Sequence, residues 1–306
     1  MKQNFLLIFL IISLNSFSQD EAKKDTLWTT RGNVAILLNQ TGFSDWVGGG
    51  TNNFSGTIKF DYEWEYEDKG WNWLTNFESA YGLAKYKNAP FARKIDDRIL
   101  LQSIIGKEFT KNLSFSGFFN FTSQIGNGYK YSKDSDNNEI RQLTTKILSP
   151  AYFQLGSGFL WKKDEKLWIN YSPIASRLIL VSKKFTQDLK SGDSYFGVLP
   201  NKTSRYELGA NLTFHSAGNL LENVKYKQDL KLFSNYLEDA SNVDLDYLAQ
   251  IDVDVNPLLS TQLIFQLIYD DNAISRLQVR EVFGIGVQLK FCLLYTSPSP
   301  RDFLLS

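Results

Sequence analysis

The feature that most constrains this chain is alternation sustained over unusually long stretches. Residues 243–255 read VDLDYLAQIDVDV. Val243, Leu245, Tyr247, Ala249, Ile251, Val253 and Val255 share one parity, and Asp244, Asp246, Leu248, Gln250, Asp252 and Asp254 share the other. A period of two puts the two sets on opposite faces of a β-strand. The same pattern runs through 279–291, and through 259–269, where Ile264 and Ile268 interrupt the polar face.

Length decides what such strands build. About twelve are predicted, at 28–39, 51–66, 71–86, 95–109, 113–127, 150–162, 166–183, 203–216, 223–237, 242–255, 258–270 and 278–291. Most span about 12 to 17 residues, against about 5 to 6 for an ordinary strand. Crossing hydrocarbon takes about 9 to 11 tilted residues. In lipid every backbone N–H and C=O needs a partner within the protein, and a closed sheet supplies one without leaving an edge. The expected fold is all-β: a closed antiparallel up-and-down transmembrane β-barrel of about 12 strands, with its apolar strand faces toward lipid.

The connections agree. Short ones are predicted at 67–70, 110–112, 163–165 and 256–257, with 216–222 somewhat longer; long ones fall at 40–50, 87–94, 128–149, 184–202 and 271–277. Only 238–241 is short where a long loop is due. Outer-membrane barrels have short periplasmic turns and longer external loops. Trp64, Trp71, Trp73, Trp161 and Trp168 flank short turns and are expected in the aromatic girdle of the periplasmic rim.

The two ends differ from the rest. MKQNFLLIFLIISLNSFSQ carries a lysine, an apolar core too short to span a bilayer, and then small residues. It reads as a cleaved secretory signal peptide over 1–19, leaving 20–291 as the barrel domain. At the other end, CLLYTSPSPRD admits a back-translation that resembles the adapter of transposase-based sequencing libraries, so 292–306 are set aside as foreign. That removes Cys292, the single cysteine, and with it any thiol nucleophile, disulfide or thiolate metal site. The final native strand then ends on Phe291, which resembles the C-terminal signal read by the barrel-insertion machinery. Lys plus Arg and Asp plus Glu are balanced at 33 each, which argues against a nucleic-acid partner.

One charge pattern points into the lumen. Lys225, Lys227 and Lys231 lie on the polar face of one strand, and Asp244, Asp246, Asp252 and Asp254 on that of the next. A hairpin around 238–242 would set Lys227 near Asp252 and Lys225 near Asp254, each pair favouring that register by about 0.2 to 1 kcal/mol.

Motifs of catalysis are sparse. Gly48–Gly50 lacks the GK[ST] and following helix of a phosphate loop. His215 is the lone histidine, expected in a solvated turn, and no GxSxG elbow accompanies it. Asp45, Asp96, Asp97, Asp134 and Asp136 fall on expected outer loops, but KDSDNNE lacks the glycine and terminal spacing of a calcium loop. Neither enzyme activity, metal nor cofactor is expected.

Asn39-Gln40, Phe43-Ser44-x-Trp46 and Gly49-Gly50, with Asp96-Asp97, Ser149-Pro150-Ala151-Tyr152 and Ser172-Pro173, resemble an outer-membrane barrel family catalogued as domain of unknown function 3078. Asp45 stands where that family is expected to carry Asn. The resemblance implies a barrel in the outer membrane of a Gram-negative cell and no particular activity. The expected function is a channel for a small solute, or a solute-binding or structural envelope protein. The alternatives are a membrane-embedded, phospholipase-like hydrolase and a secreted soluble β protein that binds a ligand.

Overall fold

The computed structural model describes residues 27–42 and 52–295. The signal segment 1–19, residues 296–306, and Phe43, Ser44, Asp45, Trp46, Gly49 and Gly50 lie outside the described residues. The strands are β1 (Trp28–Thr41), β2 (Asn53–Asp68), β3 (Trp71–Tyr86), β4 (Arg93–Thr110), β5 (Leu113–Ser123), β6 (Gly128–Lys133), β7 (Glu139–Thr145), β8 (Ala151–Asp164), β9 (Leu167–Leu180), β10 (Ser204–Leu221), β11 (Val224–Asn235), β12 (Val243–Asp254), β13 (Leu259–Asp270) and β14 (Ile274–Tyr295). All but β6 and β7 form one closed antiparallel barrel, each strand pairing with its chain neighbours. The ring is sealed by β1 against β14, from Trp28↔Tyr295 to Leu38↔Ile285. No gap separates the first and last strands, and no edge is left for lipid to face.

Three details depart from the expected outline. The first is β6–β7, a separate hairpin inside what reads as the loop 128–149. Its strands are short and polar, so periodicity did not expose them. The turn is set by Asp134, whose Oδ1 accepts the N–H groups of Asp136 (3.0 Å) and Asn138 (2.8 Å). The second is β14, which begins at Ile274 rather than 278, leaving a short β13–β14 connection. The third is its far end, where the backbone of Cys292–Tyr295 pairs with Trp28–Arg31. Ladder bonds are made by main chain, so this pairing does not depend on which side chains follow Phe291.

Faces sort as alternation requires. Ile36, Ile58, Leu155 and Ile174 point outward and are 47%, 59%, 62% and 64% exposed, whereas their neighbours Ala35, Thr57 and Lys59 are buried inside. An outer wall of bare aliphatic side chains around a lumen rich in charge and amide belongs in a bilayer, not in water. Around the short-turn rim, Trp28 packs on Tyr66 and Trp73, and Tyr62 on Trp64, with ring centroids 4.4 to 5.6 Å apart. These rings form the girdle, joined by the exposed Trp71.

Trp168 does not join them. It is 3% exposed and lies in the lumen, stacked on His215. Pro173 accounts for the difficulty of reading this strand: the pairing jumps from Ala175↔Gly209 to Ser172↔Asn211, so β9 carries one extra residue there. Such a bulge reverses which parity faces inward, and it is a place where proline is tolerated.

The interior also departs from a uniformly polar lining. Ile104, Phe118, Leu160, Trp168, Ala175 and Phe233 form a buried cluster within the lumen, mostly along the β4–β9 wall, and Ile264 is buried opposite. Side chains that meet across so narrow a barrel shield one another from water, so apolar residues are stable there.

Close packing has a local test. A Cβ on Gly158 would fall 2.0 Å from the Tyr171 carbonyl oxygen on β9, which must therefore move if alanine is installed. Gly158→Ala is expected to lower stability by about 1 to 3 kcal/mol, read from urea unfolding in micelles. Phe291 plays the opposite part: its ring covers Gly32 directly across the closing seam and lies 6.0 Å from the Tyr62 ring.

Candidate functional site

Lys225, Lys227, Lys231, Asp244, Asp246 and Asp252 border interior cavities, and the strands that carry them pair in a different register from that expected. Lys225 pairs with Asp252, Lys227 with Gln250 and Lys231 with Asp246, an offset of two residues. The loop sets it. Leu237 N–H donates to Asn235 Oδ1 (3.1 Å), Asn242 N–H to the Asp239 carbonyl (3.0 Å), and the Ser234 hydroxyl to the Ala240 carbonyl (2.7 Å). Together they close the hairpin at Ser234↔Val243. Lys225 still reaches Asp254, on the diagonal at 3.0 Å, where Lys290 also binds. The Lys227–Asp252 pair is not made. Asp252 instead accepts from Gln250 (2.7 Å) and Gln262 (2.6 Å), and Asp246 from Gln266 (2.8 Å). Asp244 binds the Arg177 guanidinium, which also holds Glu207.

Lys227 does something the hairpin could not reveal. Its ammonium crosses the lumen and donates to Glu78 Oε1 at 2.6 Å. Glu78 Oε2 accepts from Arg98 at 2.8 Å. β3 and β11 stand six strands apart in either direction around the ring, so this contact spans the barrel diameter. Other bridges cross shorter chords: Arg280 to Asp96 (2.5 Å), Lys162 to Glu65 (3.2 Å) and Lys59 to Gln262 (2.6 Å). No single strand announces these partners, because the two members of each pair lie on strands that only closure of the ring brings face to face. Glu78, Arg98, Arg177, Lys59 and Arg280 are therefore not singled out by the sequence pattern; the available signal is a charge at an inward alternating position, joined by Asp61, Glu63 and Glu65 in β2 and by Asp96 in β4.

The bridges divide the lumen into compartments. One of about 580 Å³ is lined by Asn33, Asp61, Glu78, Lys227, Asp252 and Lys290. A second, of about 480 Å³ at the short-turn end, is lined by Arg31, Glu65, Lys162, Trp168 and His215. A third, of about 320 Å³ toward the long loops, meets Gln102, Asn120, Tyr152, Arg177, Lys231 and Asp244. Lys227 borders all three. Above the last, Tyr195 donates its hydroxyl to the Thr144 carbonyl at 2.5 Å, tying the β9–β10 loop to the β6–β7 hairpin. Burial pushes that phenol up to about 12, so it remains a donor.

His215 corrects a second expectation. It is in β10, which runs on to Leu221, and not in a solvated turn. Nδ1 meets Asp229 Oδ1 at 2.7 Å and the ring stacks on Trp168 at 5.1 Å. The neighbouring Ser216 hydroxyl is bonded to the Tyr226 hydroxyl at 3.3 Å. Of the carboxylates expected on outer loops, Asp96 and Asp97 lie within β4 instead, and both are bonded to protein donors. Asp96 holds Arg280, and Asp97 takes the Ile125 N–H (2.6 Å), the Gly126 N–H (3.1 Å) and Lys94 (2.6 Å). Asp244, Asp270 and Asp271 do converge, but Asp244 already carries Arg177. Of the motif residues described, Asn39 and Gln40 end β1, paired with Ser55 and Phe54.

No curated protein matches the sequence. Among solved structures, the chain is similar to the translocator domain of autotransporter NalP from Neisseria meningitidis, at 12% identity over 94% of this chain and 95% of that one, with a TM-score of 0.40. It is also similar to the beta domain of the Bordetella autotransporter BrkA, at 8% identity over 86% and 98%, TM-score 0.34. A third is the Pseudomonas putida toluene transporter TodX, at 10% identity over 90% and 91%, TM-score 0.34. Residues 38–129, which carry the Asn39–Gly50 motif, match the family described as "Protein of unknown function (DUF3078)", the family that this motif resembles.

Proposed function

We propose that this chain is an outer-membrane β-barrel whose lumen is closed at rest by the Glu78–Lys227 brace and passes a small polar solute only when that brace yields. The supporting observation is the 2.6 Å contact between strands on opposite sides of the ring. A charge pair at that position obstructs the lumen, and it can part because water on either side can solvate both ions. In this reading the chain is exported through a cleaved signal peptide, inserted by the barrel-insertion machinery, and set with its tryptophan-rich short-turn rim toward the periplasm. In this reading it carries out no chemistry of its own.

Planar-bilayer recording tests this. The native barrel is expected to be silent or to show brief, rare steps. The double substitution Glu78→Ser with Lys227→Ser is expected to produce sustained steps, with heat-modifiable gel mobility retained. Sustained conductance of the native barrel, or silence of the folded double variant, would refute the reading.

A further inference from the structure

Six arginines of the described residues hold a carboxylate: Arg31, Arg93, Arg98, Arg177, Arg205 and Arg280. Arg141, on β7, holds none. Its guanidinium carbon lies 4.6 Å from the Phe91 ring centroid and 4.4 Å from that of Tyr129. Arg93, beside it, is stacked on Tyr131 at 4.5 Å but also bonded to Glu139, the acid of the same hairpin. The arrangement thus satisfies one guanidinium electrostatically and leaves the other with aromatic neighbours alone.

Ring faces attract a cation but accept no in-plane N–H bond. A guanidinium stacked in this way keeps its charge and its planar fork of donors, held in a restricted orientation. Two parallel N–H groups match two oxygens of a phosphate or carboxylate. Arg141 is solvent-exposed, so the donors are reachable.

The hairpin's position limits the source of the anion. The segment leading into it lies against the outer face of β4: Ile125 and Gly126 donate to Asp97, which pairs with the outward Tyr81. A Cβ on Gly126 would fall 2.8 Å from the Tyr81 ring, so the segment and that ring are in close contact. The hairpin therefore stands at the long-loop rim, within reach both of a lipid headgroup and of a solute approaching the mouth.

We propose that Arg141, framed by Phe91 and Tyr129, is a receptor for a phosphate-type oxyanion at this rim, independent of whether the lumen conducts. The full chain, labelled with ¹⁵N-arginine in zwitterionic micelles, is titrated with inorganic pyrophosphate while the Arg141 Nε–H resonance, identified by its loss in Arg141→Lys, is followed. In parallel, native mass spectrometry counts retained phosphatidic acid against phosphatidylcholine. Arg141→Gln is expected to weaken anion retention at least tenfold and Arg141→Lys to recover part of it, with heat-modifiable mobility unchanged. A pyrophosphate shift without Arg141-dependent lipid retention assigns the site to a soluble phosphate ester. Arg141-dependent retention of phosphatidic acid alone assigns it to a headgroup. If neither probe depends on Arg141 in the folded barrel, the proposal fails.

Discussion

Glu78→Gln is expected to destabilise the barrel by about 2 to 3 kcal/mol, and Lys227→Met by only about 1 kcal/mol, although both break the same contact. The asymmetry follows from what each change leaves behind. Glu78 serves two cations, Lys227 at 2.6 Å and Arg98 at 2.8 Å. Neutralising it takes the ion-pair partner from Arg98 and leaves Lys227 only Asp229, at 3.6 Å, and a buried charge whose partner is removed carries a large penalty. Removing Lys227 leaves Glu78 still bonded to Arg98 and Asp229 still bonded to His215. The general cost of breaking a buried pair is about 3 to 5 kcal/mol; partial exposure of the side chains in a wet lumen reduces it here. The double variant Glu78→Gln with Lys227→Met should cost less than the sum of the two, because the stranded ammonium is gone. Urea unfolding of all four proteins in the same micelles measures this. Additive effects would mean that the two side chains do not meet across the lumen.

The barrel itself was legible because membrane strands repeat one simple rule over a long span. Val243 to Val255 carries its face assignment in plain letters, and twelve such stretches with alternating connections leave few folds open. The failures occur where the rule is local and short. Trp168 reads as a girdle residue until the bulge at Pro173 is placed. The β6–β7 hairpin is held by the Asp134 turn and by aromatic–arginine contacts, none of which has a period. Register is the next level of difficulty. Opposite charges in adjacent strands favour several alignments two residues apart, since each keeps the faces correct, and the hydrogen bonds of the 236–242 loop choose among them. The site is hardest of all. Lys225, Lys227, Lys231, Asp244, Asp246, Asp252 and Asp254 were found because they cluster in sequence. Glu78 is 149 residues from the lysine it binds, and only closure of the ring brings the two together.

The outward face supplies the other large effect. Ile58→Arg is expected to cost about 2 to 4 kcal/mol in a phospholipid bilayer, the range for a basic side chain near the midplane of a membrane barrel. Ile58 lies well inside β2, between Ile36 on β1 and Tyr81 on β3, and is 59% exposed. In water such exposure would make the position permissive; against hydrocarbon it makes it one of the least tolerant. The neighbouring Lys59 shows the converse. It is only 4% exposed yet carries an ammonium, satisfied by Gln262 at 2.6 Å. One residue therefore separates a position that excludes a cation from one that keeps one, because a single step along a strand exchanges lipid for lumen. Folding into vesicles against a urea gradient measures the cost, with Ile58→Leu as the near-neutral control. If arginine at position 58 were as harmless as leucine, that face would be meeting water, and the transmembrane assignment of the whole sheet would fall with it.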